Sequence, residues 1–230
     1  PMDTAEFEKT AADVVDFEWW SKAVDYTGDQ MSRDASHDWG HLLRVIRNAA
    51  AIRRAESKAD WEVVAAACLM HDIVNVPKDH PQRDRASTKS AGVAVEFFQG
   101  IESFDAPKLD KLADAIRTHS YSAGLRPGFL ESEILCDADR LDALGACGIA
   151  RCFQVSGQLD RAIVDMADPF AGDRELDDLN YAVDHFFEKL LHLEDRFYTE
   201  EGRRMAAQRT EFVRTFLEQL EVELDPTLDE

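Results

Sequence analysis

Apolar residues return every three or four positions along most of this chain and hardly ever at alternate ones, the period of helices rather than strands. Residues 4–26 carry Phe7, Val14, Val15, Phe17, Trp20 and Val24 at that spacing and predict a first helix. Residues 25–36 are polar around Gly28 and predict a loop. Ser36 is placed to cap a helix over 37–56, where Leu42, Val45, Ile46, Ala49 and Ile52 recur. Asp60 caps the next, over 61–73, which is apolar almost all the way round; such a helix belongs at the centre of a core.

Residues 74–85 contain Pro77 and Pro81 and cannot form a regular helix. Ser87 caps a helix to 99, and Pro107 opens one that reaches His119. After a loop over 120–129, a helix over 131–144 is interrupted at Gly145 and Gly148. Helix resumes over 149–166 with a break at Gly157, and residues 168–178 form a loop around Pro169 and Gly172. Helices over 179–193 and 199–224 close the chain. The expected fold is all-α, a single-domain helical bundle: an N-terminal helix within 1–27, a core over 28–224 with the C-terminal helices packed on it, and a tail over 225–230.

Composition narrows the function. With 230 residues there is enough chain for a full core. The 46 acidic residues outweigh the 26 basic ones, for a formal charge of -20. That disfavours a grip on polymeric nucleic acid or an anionic membrane, so a polyanionic substrate must be held locally by a metal ion and a few cations. Cys68, Cys136, Cys147 and Cys152 form no C-x-x-C pair, and Cys68 and Cys136 lie in apolar runs; they read as reduced, buried thiols. The stretch Met2 to Glu8 is acidic and lacks a signal-type apolar run, and no segment is apolar enough to span a bilayer. A cytoplasmic protein is expected.

The chemistry gathers around the run from Ala65 to Val74, which ends its apolar stretch on the adjacent pair His71-Asp72. A buried imidazole beside a buried carboxylate is costly unless both are paired or bind a metal. His41 sits among Leu42, Leu43 and Val45, and Asp139 lies within the largely apolar stretch Ile134 to Leu141. Two imidazoles and two carboxylates from three helices make a mixed nitrogen and oxygen set, suited to Mn²⁺, Fe²⁺, Co²⁺, Ni²⁺, Zn²⁺ or, less well, Mg²⁺.

The order His41, His71-Asp72, Asp139 resembles the signature of the HD-domain phosphohydrolase superfamily. Ser36-His37-Asp38-Trp39-Gly40-His41-Leu42-Leu43-Arg44-Val45 is similar to the first motif of its YedJ- and YpgQ-like branch. So are His71-Asp72-Ile73-Val74 followed by Lys78-Asp79-His80-Pro81-Gln82-Arg83, the block from Asp137 to Gly145, the triplet Asp168-Pro169-Phe170, and the stretch from His185 to Leu191. The likeness runs from about Gly28 to Leu220.

That resemblance implies an all-helical fold with one divalent metal ion held by His41, His71, Asp72 and Asp139. Asp139 is preferred to Asp137 because the family ligand is the acid directly before a basic residue, here Arg140. Asp72, His80 and His119 are the candidate catalytic residues, the two histidines as general acid or substrate donors, with a purely structural role as the competing reading. Lys78, Arg83 and Arg140 are candidates for holding phosphate oxygens; for Lys78 and Arg83 the alternative is a solvated loop charge. His37 reads as a surface residue, Asp142 as the partner of an arginine, and His185 and His192 as core-packing residues.

The expected function is metal-dependent hydrolysis of a small phosphorylated substrate, a nucleotide, by water attack on phosphorus. The YpgQ-like relatives suggest a dNTP cleaved to dNMP and pyrophosphate; nucleotidase or phosphodiesterase reactions suit the same site. The alternatives are a di-iron oxygenase of the same superfamily and a non-catalytic module that binds a nucleotide or metal. No membrane partner is expected, and the sequence leaves a homodimer open.

Overall fold

Eight consecutive residues, Val63 to Met70, have almost no solvent exposure. They belong to α4 (Trp61–Met70), the helix around which the first part of the chain is built. The computed structural model describes residues 2–30, 38–74, 85–120 and 123–224, and within them it holds ten α-helices and no strand beyond an isolated bridge between Ala162 and Tyr181. The all-helical expectation holds. Ser36, His37, Lys78, His80 and Arg83 lie outside the described residues. The chain divides into two compact units, 1–139 and 140–230.

In the first unit, α1 (Thr4–Ala11) is capped by Asp3, whose carboxylate accepts from the Glu6 amide at 2.9 Å. The helix expected over 4–26 is broken: α2 begins only at Trp20 and runs to Gln30. Tertiary bonds replace the helical ones between them. The Trp61 indole donates to the Val14 carbonyl at 3.0 Å, and the Trp19 indole donates to Glu62 at 2.8 Å. Gly28 sits inside α2 rather than in a loop, and glycine suits the place because a Cβ there would come within 3.1 Å of Thr4 and 3.2 Å of Trp39.

Asp38, not Ser36, caps α3 (Trp39–Ala55), accepting from the His41 amide at 2.9 Å. Asp60 caps α4 as expected. Ser87 lies within α5 (Ala86–Phe98) instead of capping it, and its hydroxyl donates to the Arg117 carbonyl of α6 (Ala106–His119) at 3.0 Å. Asp105 caps α6, with Pro107 in its first turn. Helices α2, α3, α5 and α6 all pack on α4. α7 (Leu130–Leu141) is tied to α6 through Asp114, which accepts from the Gly128 amide and the Ser132 hydroxyl, each at 2.8 Å.

In the second unit, α8 (Gly145–Gln158) starts on a glycine with φ of 68°, so the interruption at Gly145 is real. A Cβ on Gly148 would lie 2.3 Å from the Ala143 carbonyl, which forbids any larger residue. The helix stops eight residues short of Met166. Asp160 turns the chain at φ 56°, and a polar network takes over. The Asp168 carboxylate accepts from the amides of Gly172, Asp173 and Arg174. Arg174 forks onto the fully buried Asp184. The helix expected over 179–193 is reduced to α9 (Asp184–Glu188) and two 3₁₀ turns, because the backbone of Asn180, Ala182 and Val183 bonds to Ala162 and Ile163 rather than within a helix. The final helix, α10 (Glu200–Leu224), packs on α8. No helix among the described residues is long and apolar enough to cross a membrane.

Candidate metal centre

Three helix ends deliver the predicted ligands. Asp38 starts α3 three residues before His41, so the imidazole leaves the first turn. His71 is the residue on which α4 ends, with Asp72 directly after it. Asp139 lies in the last turn of α7, held against α3 by the Asn48 side-chain amide, which donates to the Ala138 carbonyl at 3.0 Å.

His41, His71 and Asp139 place one donor atom each within 4.8 Å of the others, and Asp72 reaches both imidazoles from beside His71. His41 Nε2 is 3.3 Å from His71 Nε2, 3.6 Å from Asp139 Oδ1 and 4.0 Å from Asp72 Oδ2. His71 Nε2 is 3.4 Å from Asp72 Oδ2 and 3.9 Å from Asp139 Oδ1. Bonds of about 2.1 Å at angles of about 90–110° put neighbouring metal ligands roughly 3.0–3.4 Å apart, and wider angles give longer edges. The observed separations fall on that scale. Both imidazoles are buried, whereas the Asp72 and Asp139 side chains are each 28 % exposed, so the cluster opens to solvent on its carboxylate side.

Tautomers follow from the neighbouring carbonyls. His71 Nδ1 is 2.9 Å from the Cys68 carbonyl, which can only accept. The ring therefore donates from Nδ1 and turns Nε2 toward His41 and the two acids. His119, the last residue of α6, repeats the device: Nδ1 donates to the Ile116 carbonyl at 2.6 Å, and Nε2 faces Asp72 Oδ1 at 3.3 Å. The carbonyls of Arg117 and Thr118 also take side-chain donors, from Ser87 and Cys136. The ends of α4 and α6 both lie at the cluster, and the negative end of a helix dipole favours a cation.

The electrostatics ask for positive charge. Burial penalises a charged His71, yet the Asp72 carboxylate outweighs it, aided by Asp139 and the Cys68 carbonyl, and pushes the imidazole up to about 9. Burial would raise Asp72, but His71 and His119 hold it well below the usual carboxylate range. Two imidazole nitrogens 3.3 Å apart with carboxylate oxygens beside them are what a divalent ion would bind, so the donor set fits one. A second trio, His71, Asp72 and His119, also has its donor atoms within 4.8 Å of one another.

A match to the HD-domain family spans residues 38–144, from the cap of α3 to the end of the Asp139 block. YpgQ of Bacillus subtilis is 34 % identical over 199 residues, covering 85 % of this chain and 87 % of that one. The chain belongs to the HD-domain superfamily. Its fold is similar to that of YpgQ from Bacillus subtilis solved in complex with ADP, with a TM-score of 0.65, 28 % identity and coverage of 94 % of this chain and 96 % of the other. An HD-superfamily hydrolase from Bacillus thuringiensis gives a TM-score of 0.67 at 26 % identity, covering 88 % and 94 %.

The remaining expectations sort around this HD cluster. Asp137 is fully buried and is absent from both donor groups, as the preference for Asp139 required. Asp142 pairs with Arg151. Arg140 is occupied by the Arg196 carbonyl and the Tyr198 ring. His185 is half-buried and bonds Asp178 at 2.8 Å. His192 is exposed, not core, because the chain there has left α9 for a 3₁₀ turn. All four cysteines are free; Cys68 and Cys136 are buried, but Cys147 is exposed near the start of α8. The contributions of Asn48 and Ser87 carried no sequence signal, since both are contacts between helices distant in the chain.

Proposed function

We propose that this chain is a divalent-metal-dependent phosphohydrolase acting on a small phosphorylated substrate, with a nucleotide as the favoured class. The observation that carries the reading is the gathering of His41, His71 and Asp139 in one donor group with Asp72 set against both imidazoles, at separations of 3.3 to 4.0 Å. The relative YpgQ has been solved with ADP, which favours a nucleotide. Cleavage of a dNTP to dNMP and pyrophosphate is the first reaction to test; nucleotidase and phosphodiesterase chemistry follow.

His41, His71, Asp72 and Asp139 would hold the ion. When bound, a divalent cation supplies Lewis acidity toward a phosphoryl oxygen and lowers the pKa of a ligated water toward neutrality. The protein does the rest. The Cys68 carbonyl fixes the His71 ring and its tautomer. His119 holds the outer oxygen of Asp72, so that carboxylate presents one oxygen to the cluster and one to a proton-transfer partner. Asp72, His119 and His80 are the residues assigned to proton transfer, and Lys78, Arg83 and Arg140 the cations assigned to the substrate phosphates. In a chain of net charge -20 those few cations set where a polyanion can rest.

The experiment is a screen of metal-loaded protein against nucleoside mono-, di- and triphosphates and cyclic nucleotides, with phosphate and pyrophosphate assayed separately. The expected result is turnover that disappears in His71→Ala and Asp72→Ala. Turnover that survives both substitutions, or none on any phosphorylated substrate, overturns the reading.

A second reading, an HD-type di-iron oxygenase, draws on His119, whose Nε2 faces the outer oxygen of Asp72. Metal content decides between them: one ion per chain favours the hydrolase, and two ions with oxygen consumption favour the oxygenase.

A further inference from the structure

Four arginines of the second unit are held by carboxylates: Arg151 by Asp142, Arg174 by Asp184, Arg204 by Glu201 and Arg214 by Glu194. Arg140 and Arg203 differ. Among the described residues neither has a carboxylate partner, and both grip the same short turn. Arg140 donates to the Arg196 carbonyl, and its guanidinium lies 5.0 Å from the centre of the Tyr198 ring. Arg203 Nη1 donates to the carbonyls of Phe197 at 3.1 Å and Tyr198 at 2.7 Å.

Three successive carbonyls thus fix two guanidiniums without neutralising either, since a carbonyl is a dipole and not a counter-ion. Nearby Glu194 and Glu201 are already taken by Arg214 and Arg204. Asp195 and Glu200, which flank the turn, are exposed and form no ion pair with Arg140 or Arg203. A guanidinium has five N–H donors in a fixed fork. Arg140 and Arg203 each use only Nη1 for these bonds, and Arg140 Nε is buried with no partner. Two like charges held at one turn of a strongly acidic chain form a site that an oxyanion would complete, and a phosphate group has the oxygens for two forks.

We propose that Arg140 and Arg203, pinned on the 196–198 turn beside Tyr198, form a docking pair for a phosphate or pyrophosphate group. Arg203 lies 64 residues from Asp139 in the chain and has no part in the metal motif.

The test is calorimetric titration of the full chain with inorganic pyrophosphate. It compares the metal-loaded wild type, the wild type stripped with chelator, His71→Ala, Arg203→Gln and Arg203→Lys. Arg203 is exposed, so its variants should keep the wild-type melting temperature. Arg203→Gln is expected to weaken pyrophosphate binding at least about tenfold, the scale of a lost charge-assisted bond. Arg203→Lys recovers part of it, and stripped wild type and His71→Ala still bind. Unchanged affinity in Arg203→Gln, or loss of binding on stripping, overturns the docking pair. Hydrolysis of a nucleotide with unchanged Arg203→Gln leaves the phosphohydrolase standing and removes this proposal. Arg203-dependent binding without hydrolysis of any substrate does the reverse.

Discussion

His119 Nε2 lies 3.3 Å from Asp72 Oδ1, on the opposite carboxylate oxygen from the one that faces His71 at 3.4 Å. Asp72 is therefore oriented from both sides by imidazoles whose own tautomers are set by backbone carbonyls. Removing His119 frees the outer oxygen of Asp72. His119→Ala should lower metal affinity or turnover by roughly 10–100-fold, the usual effect of losing a group that orients a ligand. Competition with a fluorescent chelator measures the first and steady-state kinetics the second. Wild-type values for both would refute the positioning role.

Asp137 and Asp139 give a sharper contrast, since they differ by two residues on α7. Asp139→Asn should lose tight divalent-ion binding with little change in melting temperature, because its side chain is partly exposed. Asp137→Asn alters a fully buried group and should lower the melting temperature while the protein still binds its metal. Metal analysis paired with thermal unfolding reads both; the opposite pattern would reassign the ligand.

The proposed ligand residues stood out in the sequence because each is a polar residue within or at the end of an apolar run. The helices of the first unit were legible for the same reason, from α3 to α7. The break between α1 and α2 was not, because the Trp61 and Trp19 indoles that stabilise it find their partners 47 and 43 residues away. Residues 159–166 and 179–183 misled in the same way: their periodicity is helical, yet Arg174, Asp184 and Asp168 form a polar network that no local pattern encodes.

That network carries a stability prediction. Asp184 is fully buried and takes both Arg174 nitrogens and the Asp177 amide. Arg174→Met would strand a buried carboxylate and should cost about 3–5 kcal/mol in denaturant unfolding. Pairing it with Asp184→Leu should restore part of the loss. A single substitution with no effect would show that the pair contributes nothing net.

Two glycines test packing against backbone entropy. Gly148→Ala must displace the Ala143 carbonyl and is expected to cost about 3 kcal/mol or to prevent folding. Gly92 of α5 has open space where a Cβ would go, so Gly92→Ala should stabilise by about 0.5–1 kcal/mol. Thermal melts of the two proteins should move in opposite directions.

The acid limb of stability should depend on Glu62. Burial would raise its pKa, but Lys108, Ser103 and Trp19 all bond the carboxylate and bring it below its ordinary value. A depressed carboxylate stabilises the fold above its unfolded pKa, and that contribution disappears as the pH falls through the folded value. The melting temperature should drop below about pH 4.5, and Glu62→Gln should start lower and show a flatter acid limb. An identical slope in the variant would exclude Glu62 as a cause.

The imidazoles at the ends of α4 and α6 have a consequence for how this protein can change. Each closes the terminal turn of its own helix by satisfying a main-chain oxygen there. A descendant that abandoned its chemistry could not discard His71 or His119 freely, because the last turn would fray unless another donor replaced the ring. Retention of these two histidines among relatives would thus be a signature of architecture as well as of the cluster.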